Sequence, residues 1–188
     1  MFYLTVIFTG ILLIASINAH YSYISELSLL YCILTPIILT VSVILLDGLQ
    51  AWIIRRLPSK WFDDTKTCFD ASKKERKFFE KIGIKFWKDY VMELGGFTDF
   101  HKDKVANPND PLYLKRFILE CNYGYVIHII TAFSGFLIIF ITPLKIFYMF
   151  ALPVALVNMV LNLLPAFILR YNVPRLKSLL KLASRKKK

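Results

Sequence analysis

The first 54 residues of this chain contain no lysine and no arginine, and the stretch from Ile118 to Leu169 contains only Lys145. Runs so poor in basic residues exclude an ordinary soluble surface over those stretches. Cysteine is scarce as well. Three cysteines in 188 residues exclude a disulfide-stapled secreted domain. Cys32, Cys68 and Cys121 have no metal-like spacing, and His20 and His101 are isolated, so no metal site is expected. The chain has no G-x-S-x-G, no P-loop and no G-x-G-x-x-G, so nothing points to the soluble enzyme classes that carry them.

What is present looks contradictory at first. The chain is 56% hydrophobic, yet it holds 24 Lys+Arg against 13 Asp+Glu, a net charge of +11. Disorder is excluded by the aliphatic and aromatic content. Segregation resolves the conflict. Arg55 to Arg116 carries 15 basic and 10 acidic residues, and Arg170 to Lys188 carries eight basic residues and no acid. The apolar stretches between them reach the roughly 20 residues that a membrane-crossing helix needs.

Four spans are expected, in an all-α integral membrane protein. Phe2 to Ala19 is the first; a secretory signal is the other reading, but it lacks a basic leading region. Leu27 to Leu46 is uncharged throughout, with Pro36 at its centre as a possible kink. Tyr125 to Thr142 is shorter and is closed by Pro143, while Ile146 to Leu169 is interrupted by Pro153 and Pro165. Three spans with a re-entrant third segment is the fallback. The expected organisation is two helices in 1–54, a basic insert in 55–117, two helices in 118–169 and a basic tail in 170–188.

Basic residues near span ends face the cytoplasm. The insert and the tail hold 23 of the 24, so both are expected there, along with both chain termini, in a bacterial cytoplasmic membrane. At about 60 residues the insert is small for a self-sufficient domain. It is expected to fold against the membrane surface. Ala71 to Tyr90 interleaves lysines with Phe78, Phe79, Ile82, Phe86 and Trp87, close to a helical stripe with Asp70 or Ser72 as N-cap. Gly83 is the point at which this helix divides, if it does. The Gly95-Gly96 pair and the cluster from Asn107 to Pro111 read as turns. Basic residues among aromatics can also bind nucleic acid, but no fold signature accompanies them. Anionic lipid headgroups are the expected partner.

Ionisable and amide residues beside or inside apolar spans are functional candidates. Glu120, Gly124 and His128 fall at i, i+4 and i+8, one stripe of a helix, with Gly124 as a notch for substrate or for another helix. His128 suits a general base, since imidazole titrates near neutrality; a single interhelical hydrogen bond is its structural alternative. Asn158 and Asn162 lie one turn apart on the last span, as interhelical glue or as a polar wall. Arg170 and Arg175 stand at the boundary, able to snorkel or to pair with phosphate or carboxylate.

Four short motifs in register carry a resemblance. They are Arg56-Leu57-Pro58-Ser59-Lys60-Trp61-Phe62, Phe86-Trp87-Lys88, Glu120 with His128, and Asn162 followed by Arg170-Tyr171-Asn172-Val173-Pro174-Arg175-Leu176. Together, over roughly Leu45 to Leu182, they resemble the CrtO family of glycosyl-4,4'-diaponeurosporenoate acyltransferases. The family commonly shows a second Glu where this chain has Tyr125 and an Arg where it has Val173. The resemblance implies acylation of a sugar hydroxyl on a glycosylated carotenoid or related membrane lipid. It needs no resident cofactor, and acyl-CoA is the expected donor. Acyl transfer to a hydroxyl requires a base and an oxyanion stabiliser. On that reading His128 is the base, Glu120 orders substrate or a bridging water, and Asn158 or Asn162 faces the oxyanion. Trp87, Lys88, Gly124, Arg170, Asn172 and Arg175 bind substrate. A non-enzymatic subunit or assembly factor for lipid or pigment synthesis is the rival, and a small transporter is a more distant one.

Overall fold

The computed structural model describes residues 2–22, 26–91 and 105–186. The Gly95-Gly96 pair and His101 lie outside them. Helix α1 is Phe2–His20 and α2 is Leu29–Ile54. In the insert, a 3-10 turn at Ser59–Trp61 precedes α3, Lys73–Lys81, and α4, Ile84–Trp87. Helix α5 is Pro111–Ser134, continued as a 3-10 stretch at Gly135–Ile141. After a helical turn at Leu144–Ile146 and a π-helical one at Phe147–Ala151, α6 runs over Leu152–Lys186. No strand occurs among the described residues. Four helical segments, Tyr3–His20, Leu29–Ile54, Pro111–Ile141 and Phe147–Lys186, are long and apolar enough to cross a membrane.

Three of these depart from the sequence expectation. The second continues past Leu46 to Ile54, with Asp47 inside the helix. The third begins at Pro111 rather than Tyr125, because Asp110 and Pro111 start the helix inside the polar approach. The Asp110 carboxylate accepts from the Leu112 N–H at 3.1 Å, and Pro111 occupies the first helical position, where a missing N–H costs nothing. The last helix is not ended by proline. Pro153 falls in the first turn of α6, and both Pro165 and Pro174 lie within a helix that continues to Lys186. Pro165 is fully buried, so packing around it offsets the lost backbone bond.

The chain divides into two compact units. The first comprises Met1–Trp52 and Ile129–Leu163. Its core gathers Cys32, Leu39 and Val43 of α2 with Ile138, Phe150, Val154 and Ala155. The Tyr3 hydroxyl donates to the Leu161 carbonyl at 3.1 Å, and Asn18 donates to the Met149 carbonyl at 2.9 Å. These two bonds fix α1 antiparallel to the start of the last helix. Leu4, Phe8, Leu12, Leu45 and Phe140 are exposed, as a lipid-facing surface requires.

The second unit comprises Ile53–His128 and Leu164–Lys188. Helix α5 contributes Leu114, Phe117, Ile118 and Cys121, at i, i+3, i+4 and i+7; α6 contributes Leu169, Val173, Leu176, Leu180 and Ala183. The basic C-terminal stretch is therefore a packed amphipathic helix as far as Ala183. Lys177 donates to the Lys66 carbonyl and pairs with Asp70, each at 2.6 Å.

The insert follows its sequence signals closely. The Ser72 hydroxyl accepts from the Glu75 N–H at 3.2 Å, and the Ser72 N–H donates back to the Glu75 carboxylate at 2.7 Å, a complete capping box. Gly83, at φ +73°, adopts the left-handed conformation that divides α3 from α4. The aromatic stripe splits. Phe79 is buried against Phe167 and Tyr171, with ring centroids 5.3 Å and 6.3 Å away, whereas Phe78, Ile82 and Phe86 stay exposed.

Candidate functional site

Glu120, Gly124 and His128 lie on one continuous helix, α5, as their spacing requires. Glu120 and His128 are about 12 Å apart along the axis at 1.5 Å per residue. Glu120 is engaged: its carboxylate accepts from Arg55 at 2.8 Å. The notch at Gly124 is filled by a helix. A Cβ there would approach Leu169 Cδ1 of α6 to 2.9 Å, so the glycine admits close helix packing. His128 is half-buried. Next to Gly124's neighbours, Asn122 is fully buried and donates to the Phe62 carbonyl at 2.7 Å, and the Tyr123 hydroxyl donates to the Leu57 carbonyl at 2.7 Å. These two bonds tie the start of the insert to α5.

Arg170 holds three partners. Its Nε donates to Glu75 at 2.9 Å, Nη1 donates to the Cys68 carbonyl at 2.9 Å, and the guanidinium lies 5.1 Å from the Tyr125 ring centroid. The Arg170 bond and then the Ser72 N–H hold the Glu75 carboxyl at about 2, below the ordinary 4.5. Beside it, the Tyr171 hydroxyl donates to Glu80 at 3.1 Å, and Lys85 pairs with Glu80 at 3.0 Å. Lys85 first and Tyr171 second lower the Glu80 pKa. Trp87 is half-buried, its indole N–H donating to the Ile82 carbonyl at 3.0 Å. Lys88 and Asn172 are half-buried and Arg175 is exposed. The Arg170 that suggests phosphate recognition thus also clamps α6 to the cap of α3.

The two asparagines belong to a different constellation, contained in the first unit. Asn162 donates to Asp47 Oδ2 at 3.1 Å and to Asn158 Oδ1 at 3.0 Å. Its own Oδ1 accepts from the Thr131 hydroxyl at 2.8 Å, and Asn158 donates to the Thr131 carbonyl at 3.1 Å. One turn on, the Ser134 hydroxyl donates to Gln50 at 2.8 Å. Asp47, Gln50, Thr131 and Ser134 are the additions that the fold makes. Their sequence signal is weak. Asp47 is the lone charged residue of Leu29–Ile54 and reads there as a span boundary. For either asparagine to face an oxyanion, these bonds must be exchanged.

Among the described residues, no three His, Cys, Asp or Glu side chains gather as a metal site would require. The family model described as CrtO: Glycosyl-4,4'-diaponeurosporenoate acyltransferase matches residues 58–182 of the chain, more than half of it. No curated protein and no solved structure matches.

Proposed function

The chain belongs to the CrtO family, an acyltransferase family of carotenoid biosynthesis, and from that premise we propose that it transfers a fatty acyl group to a hydroxyl of a glycosylated carotenoid or related glycolipid. The observation that carries this reading is the family match, which runs through the insert, α5 and most of α6. The four apolar helices suit a substrate dissolved in the bilayer.

The chemistry asks for few groups. The acceptor hydroxyl oxygen attacks the carbonyl carbon of an acyl thioester; the new C–O bond forms, the C–S bond breaks, and the thiol leaves with the proton that the hydroxyl gave up. His128 is the proposed carrier of that proton, with acyl-CoA as the proposed donor. Lys88 and Arg175, together with Arg170 if Glu75 yields it, are the proposed contacts of the donor's phosphates. Glu120 would act while held by Arg55, as a positioning residue.

The test is direct. Purified protein in nanodiscs, given acyl-CoA and a glycosylated carotenoid acid, should yield a product heavier by one acyl group. Failure of the folded protein to form any acylated product would remove the reading. His128→Ala should lower turnover by roughly 100-fold or more. A folded His128→Ala protein with full activity would remove the base.

A further inference from the structure

Helices α3 and α4 do not belong to the four segments that are long and apolar enough to cross a membrane, yet they leave a row of large apolar side chains uncovered. Phe79 and Ile84 are buried, Phe79 against Phe167 of α6. Beside Phe79 on α3, Phe78 and Ile82 are exposed at i and i+4. Phe86, 84% exposed, continues the row: a Cβ on Gly83 would lie 3.7 Å from its Cδ2, so the ring stands at the corner next to Ile82. The corner is fixed by the left-handed backbone of Gly83 and by the Trp87 indole bond to the Ile82 carbonyl.

Two observations say what covers this ridge. The first is its level along α6. Phe167 lies three residues before Arg170, about 5 Å along the axis, so α3 packs where α6 passes from apolar to basic. A helix at that level meets the lipid boundary. The second is charge. Lys73, Lys74, Lys77 and Lys81 are exposed and make no ion pair among the described residues. Lys74 and Lys81 stand at i−4 and i+3 from Phe78, on the same side of α3 as the ridge.

We propose that α3 and α4 form an in-plane membrane anchor that requires anionic lipid: Phe78, Ile82 and Phe86 enter the headgroup–acyl boundary, and Lys73, Lys74, Lys77 and Lys81 meet the lipid phosphates. An apolar ridge bordered by lysines is the pattern that lies in such a boundary. The lysines decide the lipid, since each one near an anionic surface favours docking by roughly five-fold. The anchor has a fixed inner side as well. Glu75 and Glu80 of α3 hold Arg170 and Tyr171, so the docked helix stays attached to the boundary turn of α6. None of this rests on the acyl-transfer reading.

The test places a nitroxide at position 86 of the full chain, through Phe86→Cys in a Cys68→Ser background; the other two cysteines are buried. The protein is held in nanodiscs of phosphatidylglycerol or of phosphatidylcholine, and collisions of the label with oxygen and with a neutral, water-soluble nickel complex are measured. The oxygen-to-nickel ratio should be at least three-fold higher in phosphatidylglycerol. Replacing the four lysines by glutamine, all at exposed positions, should abolish that difference while leaving the thermal midpoint within a few degrees of the parent. Equal ratios in the two lipids, or a difference that survives the four glutamines, would overturn the proposal. A label closed to both reagents in both lipids would also overturn it, because the chain itself would then cover the ridge. So would a label open to nickel in both kinds of nanodisc but closed to both reagents in native membranes, which would make the occupant a protein.

Discussion

Arg170 reaches Glu75 across 95 residues of sequence, Nε to Oε1 at 2.9 Å, and so attaches the last helix to the capping box that starts α3. The Glu75 carboxylate thereby accepts from Arg170 and from its own N-cap. Its pKa falls from 4.5 to about 2, so the charged form is favoured in the folded protein. A depressed carboxylate contributes stability that is present above 4.5 and lost as pH falls through 2. With 39% of the side chain exposed, solvent screening leaves roughly 1 kcal/mol of this contribution. Glu75→Gln should lower the unfolding midpoint at pH 7, and its midpoint should change less than that of wild type between pH 4.5 and 2. Parallel pH curves for the two proteins would contradict the linkage.

Lysine should not replace arginine at position 170. The guanidinium side chain is only 16% exposed, and it serves a carboxylate, a carbonyl and an aromatic face together. A lysine carries one charged centre in place of a planar fork. Arg170→Ala should cost about 2–4 kcal/mol by leaving the clamp open, and Arg170→Lys should recover less than half of that in denaturant titrations. Full recovery by lysine would show that charge alone matters there.

These pairings mark where sequence reading stops. Local signals are legible because their partners are close: Ser72 with Glu75 three residues on, and Gly83 between two short helices. Charge segregation likewise announces the four apolar segments. Arg55 with Glu120, Arg170 with Glu75 and Asp47 with Asn162 are 65, 95 and 115 residues apart, so neither periodicity nor motif can pair them. The prolines of α6 mislead for a related reason. A proline's local cost is visible in sequence, while the packing that offsets it at Pro165 comes from elsewhere in the fold.

Asn122 is the buried fastening between the insert and α5. Its amide nitrogen lies 2.7 Å from the Phe62 carbonyl and 3.4 Å from that of Asp63. Asn122→Ala removes the donor and leaves a buried carbonyl unpaired, at about 1–3 kcal/mol. Asn122→Asp should cost more, because an acceptor then faces two acceptors. The order of the two midpoints checks this; an aspartate no worse than alanine would refute it.

The proposed cytoplasmic placement of the insert has a native reporter. Cys68 is exposed, whereas Cys32 and Cys121 are buried. A membrane-impermeant maleimide should leave the protein unmodified in intact cells and label it once, at Cys68, in inside-out vesicles. Labelling of Cys68 in intact cells would place the insert on the opposite side.

Gly135 offers a way to disturb the Asp47 cluster without removing any polar group. A Cβ at this position would come within 2.5 Å of Asn158 Nδ2 and 3.3 Å of its Cγ, so Gly135→Ala must push the Asn158 amide away. That amide donates to the Thr131 carbonyl and, through its oxygen, accepts from Asn162, so the displacement passes along the cluster. The expected cost is about 1–3 kcal/mol, the range for overpacking. In an Asn158→Ala background the steric conflict is gone. Gly135→Ala should then cost less than about a third as much, a coupling that a double-mutant cycle in denaturant reads directly. Equal costs in both backgrounds would show that Gly135 is needed for its own backbone rather than for the space it leaves to Asn158.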